Sequence, residues 1–366
     1  MKKSTAQNKK IVCVHLLNDY SGSPLVLSIA IKGMLAQGYA VDVITGTKGE
    51  GFLSNLPTGK RHFFYSFSPN IFIRLLLYSL SQLHLFVMML RYWREPVIVY
   101  VNTLLPAGAA LAAKMMRKKV IYHLHETSIN PPLFKKALRT VTAMCADTVI
   151  YVSAFLEQEE RIPNVQNHVV HNALTNDFMD RAMLFNPTQK LNHRFTVLMI
   201  CSLKEYKGVY DFLELSESFP NLDFEIVLNA SQKDIDDALH TRNKGSNIKI
   251  YPVQSNVHRF YERAHLVLNL SHPDKWIETF GMTLLEAMSY GIPVLAPPVG
   301  GATEFVEHQS NGFLCSVHQK DQLKESLEQI SSDKNLYQKF SENARIKAKT
   351  FDEWEMQNKI IDILKK

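Results

Sequence analysis

The sequence has little cysteine, and the cysteines that it has form no recognisable site. Four are present, far apart in largely apolar stretches, and no two make a C-x-x-C pair or a metal-ligand spacing: Cys13, Cys145, Cys201 and Cys315. Free Cys is among the most buried residue types, so core thiols in a reducing compartment are expected. We predict neither a disulfide framework nor a metal site.

Signals for export or for membrane insertion are also missing. Residues 1–10 are polar and basic and run directly into an apolar strand, without the apolar region and small-residue cleavage site of a signal peptide. The longest apolar stretch, residues 75–90, is interrupted by two serines, a glutamine and a histidine. It falls short of the roughly 20 apolar residues that a spanning helix needs. A cytoplasmic protein is expected, either free or peripheral on the inner face of the membrane.

A strong charge of either sign is absent as well. The formal net charge is +6, and Lys and Arg are scattered apart from the run 117–119 and the terminal pair 365–366. Nucleic acid is a poor partner for such a surface, because no basic stripe interleaved with aromatic residues is present. Phosphorylated substrates or an anionic lipid surface agree better with this modest excess.

What the chain does have is length and a regular alternation of strand-like and helix-like segments. At 366 residues, with 46% hydrophobic and 21% charged residues, it is expected to form two soluble globular domains. Short apolar strands separated by helices predict parallel sheets covered on both faces, once before residue 178 and again after residue 194. The polar segment 178–194 has no clear period and is the predicted linker.

The predicted fold class is therefore α/β, with two Rossmann-like parallel-sheet domains that face each other across a cleft. We place the first domain at 1–177 and the second at 195–350, with a closing helix at 351–366. Ligands of such sheets bind outside the carboxyl ends of the strands, so the cleft is the expected site.

The segment 271–288, SHPDKWIETFGMTLLEAM, contains the most informative chemistry. It connects a predicted strand to a predicted helix, with Thr279 as the predicted N-cap. The free amides of Gly281, Met282 and Thr283 would meet a diphosphate with hydrogen bonds and with the positive end of the helix dipole. A glycine at 281 would let the backbone come close to the phosphate.

Two carboxylates flank this predicted anion site. Glu278 lies in the loop, and Glu286 lies one to two turns inside the helix. Carboxylates repel phosphate but suit hydroxyl donors, such as a sugar on one side and a ribose on the other. Taken alone the pattern is weak, since a helix with two Glu residues is more often simply solvated.

A longer stretch of the sequence resembles a known family. Glu278-x7-Glu286 is followed by AMSYGIPV (287–294), VGGATEFV (299–306) and NGFL (311–314). In one register these segments closely resemble the donor-binding half of glycosyltransferase family 4, the group 1 glycosyltransferases. The resemblance implies a retaining, metal-independent enzyme of GT-B architecture, with a nucleoside-diphosphate sugar as donor and no cofactor. It also implies an acceptor-side first domain, a nucleotide-sugar-binding second domain and a last helix that returns to the first.

The resemblance extends to the segment LKEYKG at 203–208, which is similar to the family's segment ending in Lys-Gly. It implies that Lys207 binds the donor diphosphate. The family has Gly-Arg where this chain has Cys201-Ser202, so one phosphate cation is missing and Lys204 is a candidate to replace it. The donor-binding residues implied in this way are Ser202, Lys204, Phe280, Gly281, Met282, Thr283 and Glu286. Glu278 is implied to orient sugar hydroxyls, and Glu286 to bind the ribose.

Two segments of the first domain resemble the family more loosely. YSGSP (20–24) is similar to the glycine-rich loop that lies over the phosphates, with the usual Gly-Gly reduced to Gly22. VIYHLHE (120–126) is similar to the strand that ends in a histidine near the donor sugar, which makes His125 a candidate catalytic residue beside Glu278 and Lys207. A histidine at a strand end is otherwise more often a satisfied structural residue. Asn172 matches the family's Asn-Gly and is expected to be structural.

A predicted helix at 74–94 mixes large apolar residues with basic ones. It is either a core helix of the first domain or a helix that lies on an anionic membrane and presents a lipid-linked acceptor.

The expected function is transfer of a hexosyl group, with retention, to a hydroxyl of a glycan or lipid-linked acceptor. A role in surface polysaccharide synthesis rests on analogy at the level of the fold. A non-catalytic nucleotide-sugar-binding subunit and a sugar-nucleotide epimerase remain as alternatives. A two-lobe solute-binding protein would need an export signal.

Overall fold

The computed structural model describes residues 10–47, 49–187, 194–240 and 245–366. The chain divides into two compact units. Unit 1 extends to Ala173 and includes Glu353–Lys366, and unit 2 is Leu174–Asp352. Residues 1–9, on which the expectation of no export signal rests, lie outside the described part of the chain.

Unit 1 is built on a seven-stranded parallel sheet with the order β3-β2-β1-β4-β5-β6-β7. The chain order reverses beside β1, so β1 and β4 are neighbours at the topological switch point. The central strands are apolar and buried, as expected for a sheet covered on both faces. The strands are β1 (Lys10–His15), β2 (Ala40–Gly46), β3 (Gly59–Phe63), β4 (Val97–Asn102), β5 (Lys119–Leu124), β6 (Thr148–Tyr151) and β7 (Gln166–Val169).

Unit 2 repeats this design with a six-stranded parallel sheet in the order β10-β9-β8-β11-β12-β13. Its switch point lies between β8 and β11. The two sheets confirm the predicted fold class. The strands are β8 (Thr196–Cys201), β9 (Asp223–Leu228), β10 (Ile248–Tyr251), β11 (Leu266–Leu268), β12 (Val294–Ala296) and β13 (Gly312–Leu314).

Helices connect the strands in both units. Those that precede β8 are α1 (Gly22–Ala36), α2 (Ile71–Met89), α3 (Ala107–Met115), α4 (Pro132–Cys145), α5 (Ala154–Glu160) and α6 (Asn176–Leu184). The others are α7 (Val209–Ser218), α8 (Gln232–Leu239), α9 (His258–Arg263), α10 (Met282–Ser289), α11 (Lys320–Ser332), α12 (Lys334–Ala348) and α13 (Glu353–Lys365). The sequence analysis did not identify β3 or α5. β3 is a polar edge strand with one buried residue, Phe63, and it therefore lacks an apolar pattern.

The last helix, α13, belongs to unit 1. Its apolar residues, among them Met356, Ile360 and Leu364, are part of the same buried cluster as α1. Gln357 donates from its side-chain amide to the carbonyl of Ile29 at 3.2 Å. Glycine at position 33 makes room for this contact, since a Cβ there would lie 2.8 Å from the Gln357 side chain.

The predicted linker at 178–194 is wrong in its first part. Residues 176–184 form α6, which belongs to unit 2. Arg345 of α12 donates hydrogen bonds to the carbonyls of Ala182, Met183 and Phe185. The segment is polar because its outer face is solvated, while its backbone and its phenylalanines are engaged by unit 2. Residues 188–193 lie outside the described part.

Helix α2 agrees with the core-helix alternative along one face only, and its contact with a membrane stays a prediction. Only Ser81, Leu85 and Met89 are buried, so it is a core helix along one face alone. Together with the following turn it forms an apolar helical segment longer than the stretch 75–90: Ile71–Tyr92 has 22 residues, a mean hydropathy of 1.6 and 17% of its apolar window buried. By length and composition it could cross a membrane, and the expectation that the apolar stretch is too short is corrected. The stretch begins four residues earlier than the sequence analysis placed it.

Candidate active site at the switch points

Two loops at the switch point of unit 2 bring a lysine and a glutamate together. Lys207 ends a short turn after β8, and Glu278 lies in the loop that follows β11. Lys207 Nζ is 2.8 Å from Glu278 Oε2, and both side chains are largely shielded from solvent. The carboxyl ends of neighbouring parallel strands place these residues where such sheets bind ligands. The structure thus joins two predicted site residues that are 71 positions apart.

An aromatic pair lies beside this ion pair. Lys207 Nζ is 4.8 Å from the centre of the Trp276 ring, and the ring of Tyr206 stacks on the indole at 5.4 Å with an interplanar angle of 19°. The cation is therefore held from two sides, by a carboxylate and by an aromatic face. The indole nitrogen of Trp276 is buried and has no hydrogen-bond partner in the described part of the chain. The sequence analysis did not single out Tyr206.

Helix α10 begins next to Glu278 with an open anion-binding end. Its N-cap is Gly281, with φ +101°, and not Thr279 as predicted, because the chain turns through a left-handed residue that favours glycine. The N-cap residue, as a glycine, has no side chain with which to cap this end. The amides of Met282 and Thr283 cannot find partners within the helix, since the first turn leaves its N–H groups unsatisfied. They remain suited to a phosphate.

The predicted reason for glycine at position 281 is also corrected. A Cβ at Gly281 would face Ala302, Leu284 and Phe305 at 3.5–3.6 Å, which is ordinary contact on the protein side. Gly281 is buried and is required for its backbone angle rather than for the approach of a ligand.

Two glycines of the segment VGGATEFV hold the loop of Glu278 in place. The amide of Gly301 donates to the carbonyl of Glu278 at 2.8 Å. A Cβ at Gly301 would lie 2.0 Å from the Thr279 carbonyl oxygen, and one at Gly300 would lie 2.4 Å from the Glu278 carbonyl oxygen. Only glycine permits such close approach of the two loops, so this part of the motif positions the glutamate.

Glu286 lies in the second turn of α10, where a tyrosine holds it. The hydroxyl of Tyr261, a buried residue of α9, donates to Glu286 Oε2 at 2.6 Å. Burial raises the pKa of Glu286 to about 7, and the hydrogen bond from Tyr261 opposes that rise. Both protonation states of Glu286 are therefore accessible near neutral pH. Nothing in the sequence signals Tyr261, because α9 and α10 are brought together only by the sheet.

The remaining predicted donor residues of unit 2 differ in their placement. Ser202 follows β8 directly and is half-buried, at the switch point. Lys204 is exposed and makes no ion pair with the described residues, so its charge is available to a ligand. The side chain of Phe280 is only 2% exposed and packs against Phe305 and Phe351. Its predicted binding role can therefore be served by its main chain only.

His125 lies at the carboxyl end of β5 in unit 1, within a histidine cluster. The Asn102 side-chain amide donates to the Ser23 carbonyl, which fixes its orientation. Asn102 Oδ1 therefore accepts from His125 Nε2 at 2.8 Å. His15 approaches the carbonyl of Asn102 at 3.2 Å, and the ring of His123 lies 4.5 Å from that of His125.

Burial keeps this cluster uncharged. It lowers the pKa of His15 to about 4 and of His123 to about 3, and it moves the pKa of His125 well below its usual range, with the neighbouring histidines adding to the effect. Glu126, which accepts from the amides of Leu104 and His125, has a pKa raised to about 7 by burial. A neutral imidazole has one N–H group, and in His125 that group donates to Asn102. His125 could therefore donate to a ligand only if its hydrogen bond to Asn102 were broken.

Gly22 is the first residue of α1, after the extended N-cap Ser21. It is exposed, and a Cβ built on it would meet no atom within 4 Å. The fold itself therefore does not require glycine at this position. Asn172, which was expected to be structural, is buried, and its Oδ1 has no hydrogen-bond partner in the described part of the chain.

Two family profiles match the chain and identify its family. The profile of Glycosyl transferases group 1 matches residues 180–347, and that of Glycosyltransferase Family 4 matches residues 22–176. Together they account for both units. The chain belongs to the group 1 glycosyltransferases. The resemblance drawn from the sequence is thereby confirmed, including the family 4 character of the N-terminal half.

Solved glycosyltransferases share the fold over nearly the whole chain. HepE from Anabaena, in complex with UDP and glucose, matches with a TM-score of 0.77 and 19% identity, over 97% of this chain and 99% of that one. Sucrose-phosphate synthase from Thermosynechococcus elongatus matches with a TM-score of 0.75 and 16% identity, over 98% of each chain. At such identities the likeness extends to the GT-B fold alone.

Curated relatives of this glycosyltransferase match over shorter stretches. An uncharacterized glycosyltransferase of Haemophilus influenzae is 24% identical over 182 residues, which is 46% of this chain and 50% of that protein. N-acetyl-alpha-D-glucosaminyl L-malate synthase of Bacillus anthracis is 35% identical over 92 residues, which is 25% of this chain and 23% of that protein. The chain thus matches half or less of the length of these relatives.

Proposed function

We propose that this protein transfers a hexosyl group from a nucleoside-diphosphate sugar to a hydroxyl of a glycan or lipid-linked acceptor, with retention of configuration and without a catalytic metal. One observation carries the proposal: Lys207 and the uncapped start of α10 lie beside two carboxylates at the switch point of unit 2. A cation and free amides suit the leaving diphosphate, and the carboxylates suit hydroxyls.

Each residue then has a defined role in the transfer. Lys207 and the amides of Met282 and Thr283 stabilise the charge that develops on the leaving diphosphate. Glu278 orients sugar hydroxyls while its other contact, to Lys207, keeps the cation in position. Glu286 accepts from the ribose hydroxyls with the oxygen that Tyr261 does not occupy. The catalytic role implied for His125 of unit 1 stays a prediction. Solved structures of similar fold include complexes with UDP and with UDP-glucose, which supports a nucleotide-sugar donor.

Helix α2 supplies a membrane contact in this proposal. Its exposed apolar residues recur at a spacing of three and four, which places them on one face: Ile73, Leu76, Leu80, Leu83 and Val87. The opposite face is held by unit 1, where the Gly108 amide donates to Gln82 Oε1. A helix that is packed on one side and apolar on the other suits a position in the membrane interface, with Arg91 and Arg94 near anionic headgroups. We propose that the enzyme acts at the cytoplasmic face of the membrane, in polysaccharide synthesis.

A panel of labelled UDP- and GDP-sugars tests the proposal. The purified protein is incubated with each donor, with and without membranes that contain lipid-linked glycan, and the product is analysed for linkage and anomeric configuration. We expect acceptor-dependent transfer with the donor's own anomeric configuration. Conversion of the donor without an acceptor would support an epimerase instead. Binding of a donor without either reaction would support a non-catalytic subunit.

A further inference from the structure

Unit 2 holds a second polar cluster, which the proposed transfer does not use. His272 and Asp274 lie in the loop after β11, His318 lies just before α11, and Asp211 lies in the first turn of α7. One nitrogen or carboxylate oxygen from each of His272, Asp274 and His318 lies within 4.8 Å of the others. Three segments that are distant in sequence thus converge on one point.

His272 is held in a fixed orientation before any ligand arrives. Its Nε2 is 2.8 Å from Asp211 Oδ2, and both side chains are largely shielded, at 14% and 22% exposure. An outer carboxylate that orients an imidazole in this way is the usual companion of a metal-binding histidine. The backbone amide of His272 is fixed as well, because it donates to the Tyr206 carbonyl at 2.9 Å.

The other two members are more exposed and lie opposite His272. His318 Nε2 is 2.9 Å from Asp274 Oδ1, and the rings of His272 and His318 are 5.2 Å apart at 87°. Their ligand atoms lie within 4.8 Å of one another, and in a zinc site each would lie about 2.0–2.2 Å from the metal.

The charges around the cluster favour a cation. When its imidazoles are neutral, which is the form that binds metals, the cluster has two carboxylates, one of which, Asp211, also interacts electrostatically with Lys320. The two lysines nearest in sequence are engaged elsewhere, Lys275 with Glu205 at 3.1 Å and Lys320 with Glu214 at 2.7 Å. Two imidazoles with a carboxylate select zinc over magnesium or calcium, which prefer oxygen ligands alone.

We propose that His272, Asp274 and His318 form a Zn²⁺ site, with Asp211 as the residue that positions His272. The sequence analysis predicted no metal site because it considered cysteine spacing, and these ligands come together only in the fold. The zinc is not a catalytic group in the proposed transfer, since none of its ligands has a role in that transfer.

Direct contacts connect this site to the lysine of the transfer site. Tyr206 accepts the His272 amide, stacks on Trp276 and precedes Lys207, whose Nζ lies over the same indole. Zinc would therefore fix the loop that carries Trp276 and Glu278. Only this effect on the donor site rests on the proposed function, whereas zinc binding itself does not.

Calorimetric titration of the full chain with Zn²⁺, after removal of any affinity tag, tests the site. We expect one tight site in the wild type that is lost in His318→Ala and in His272→Ala. His240→Ala is the matched control, because His240 is an exposed histidine bonded to the Asp237 carbonyl of α8, and it should bind as the wild type does. Asp211→Asn is expected to weaken binding by about ten- to a hundredfold, the usual cost of losing an outer carboxylate.

Two further measurements keep the test independent of folding and of transfer activity. His318 is exposed, so His318→Ala should keep the wild-type melting temperature even if His272→Ala does not. In a variant with Trp93→Phe and Trp354→Phe, Trp276 is the sole tryptophan, and Zn²⁺ should change its fluorescence unless His318 is also replaced. Equal zinc affinity in the wild type and His318→Ala, or no tight site in the wild type, would overturn the proposal. A failed donor screen with zinc binding intact would count against the proposed function alone.

Discussion

At the scale of single residues, the site depends on charges that the free protein already pairs. Lys207 is bound to Glu278 and lies over Trp276, so a donor diphosphate must share or displace an existing partner. Glu286 is held by Tyr261 in a buried position that favours its protonated form. Both features make donor binding sensitive to single substitutions and to pH.

The raised pKa of Glu286 predicts a pH dependence of nucleotide binding. Ribose hydroxyls are donors and prefer the ionised carboxylate, so the affinity for a nucleoside diphosphate should rise as pH increases through about 7. If only the ionised form binds well, calorimetry should show an increase of about tenfold between about pH 6 and about pH 8.

Glu286→Gln is the control for this dependence. Its affinity should be low and should change little with pH beyond the titration of the nucleotide itself. Burial raises the pKa of the Glu286 carboxyl from 4.5, its ordinary value, to about 7 in the folded protein. The stability of the wild type relative to Glu286→Gln should therefore fall as the pH rises from about 4.5 to about 7. A wild type and a variant with the same pH profile would remove the assigned ribose role.

The sequence identified some of the residues that the structure brings together and missed others. Glu278 and Glu286 were identified because the family motif keeps them in one register, and Lys207 because a separate, looser match ends in Lys-Gly; the structure pairs Lys207 with Glu278. Tyr261, Asn102 and Asp211 were not identified, because each acts through a partner on another element and has no sequence signal of its own. The N-cap was assigned to Thr279 on side-chain preference, whereas the backbone angle of Gly281 decides the start of α10.

At the scale of elements, helices α1 and α10 both have a glycine at their start, but for different structural reasons. Gly281 needs its left-handed angle, and Gly22 has an ordinary angle with empty space where a Cβ would lie. We predict that Gly281→Ala lowers the free energy of unfolding by about 1–2 kcal/mol, the cost of a left-handed non-glycine residue.

Gly22→Ala should leave the stability unchanged or slightly raised, since alanine restricts the unfolded chain. It should nevertheless raise the KM for the donor if a ligand approaches Gly22 closely. Gly38→Ala matches the strain of Gly281→Ala, with φ +83° and no Cβ contact, at the end of α1. Thermal unfolding and donor kinetics of the three variants separate the two roles, and an unstable Gly22→Ala would contradict this account.

Helix α2 predicts membrane binding through one stripe. Combined replacement of Leu76, Leu80 and Leu83 by Glu should reduce co-sedimentation with anionic vesicles by at least about tenfold, because three apolar anchors are lost and three like charges gained. The melting temperature should stay near the wild-type value, since these side chains are exposed. Leu184→Glu is the matched control at an exposed leucine of α6 and should sediment as the wild type does. Equal sedimentation of all proteins would exclude α2 as the contact.

At the scale of the whole molecule, unit 1 is formed by two segments that lie at opposite ends of the chain. The first sheet is completed by the last helix, whose apolar face is part of the core beneath α1. The alternation of strands and helices predicted both sheets, since buried parallel strands are short and apolar. The limits of the units were less predictable, because α6 has a solvated face that resembles a linker.

Ile360 tests this division. It is fully buried in the core of unit 1, and Ile360→Ala should lower the free energy of unfolding by about 2–5 kcal/mol. Ile346→Ala, at an exposed isoleucine of α12, should change it by less than about 0.5 kcal/mol. Chemical denaturation of both variants measures the difference. Equal effects would mean that α13 does not contribute to the core of unit 1.

The central claim is that Lys207 and the uncapped start of α10 hold the leaving diphosphate. Calorimetric titration of UDP and GDP into the wild type, Lys207→Met and Lys233→Met tests it most directly. Loss of a charged hydrogen bond should weaken binding to Lys207→Met at least about tenfold. The exposed Lys233 of α8 is the control and should have no effect. A folded Lys207→Met protein with wild-type affinity, or a wild type that binds neither nucleotide, would contradict the account.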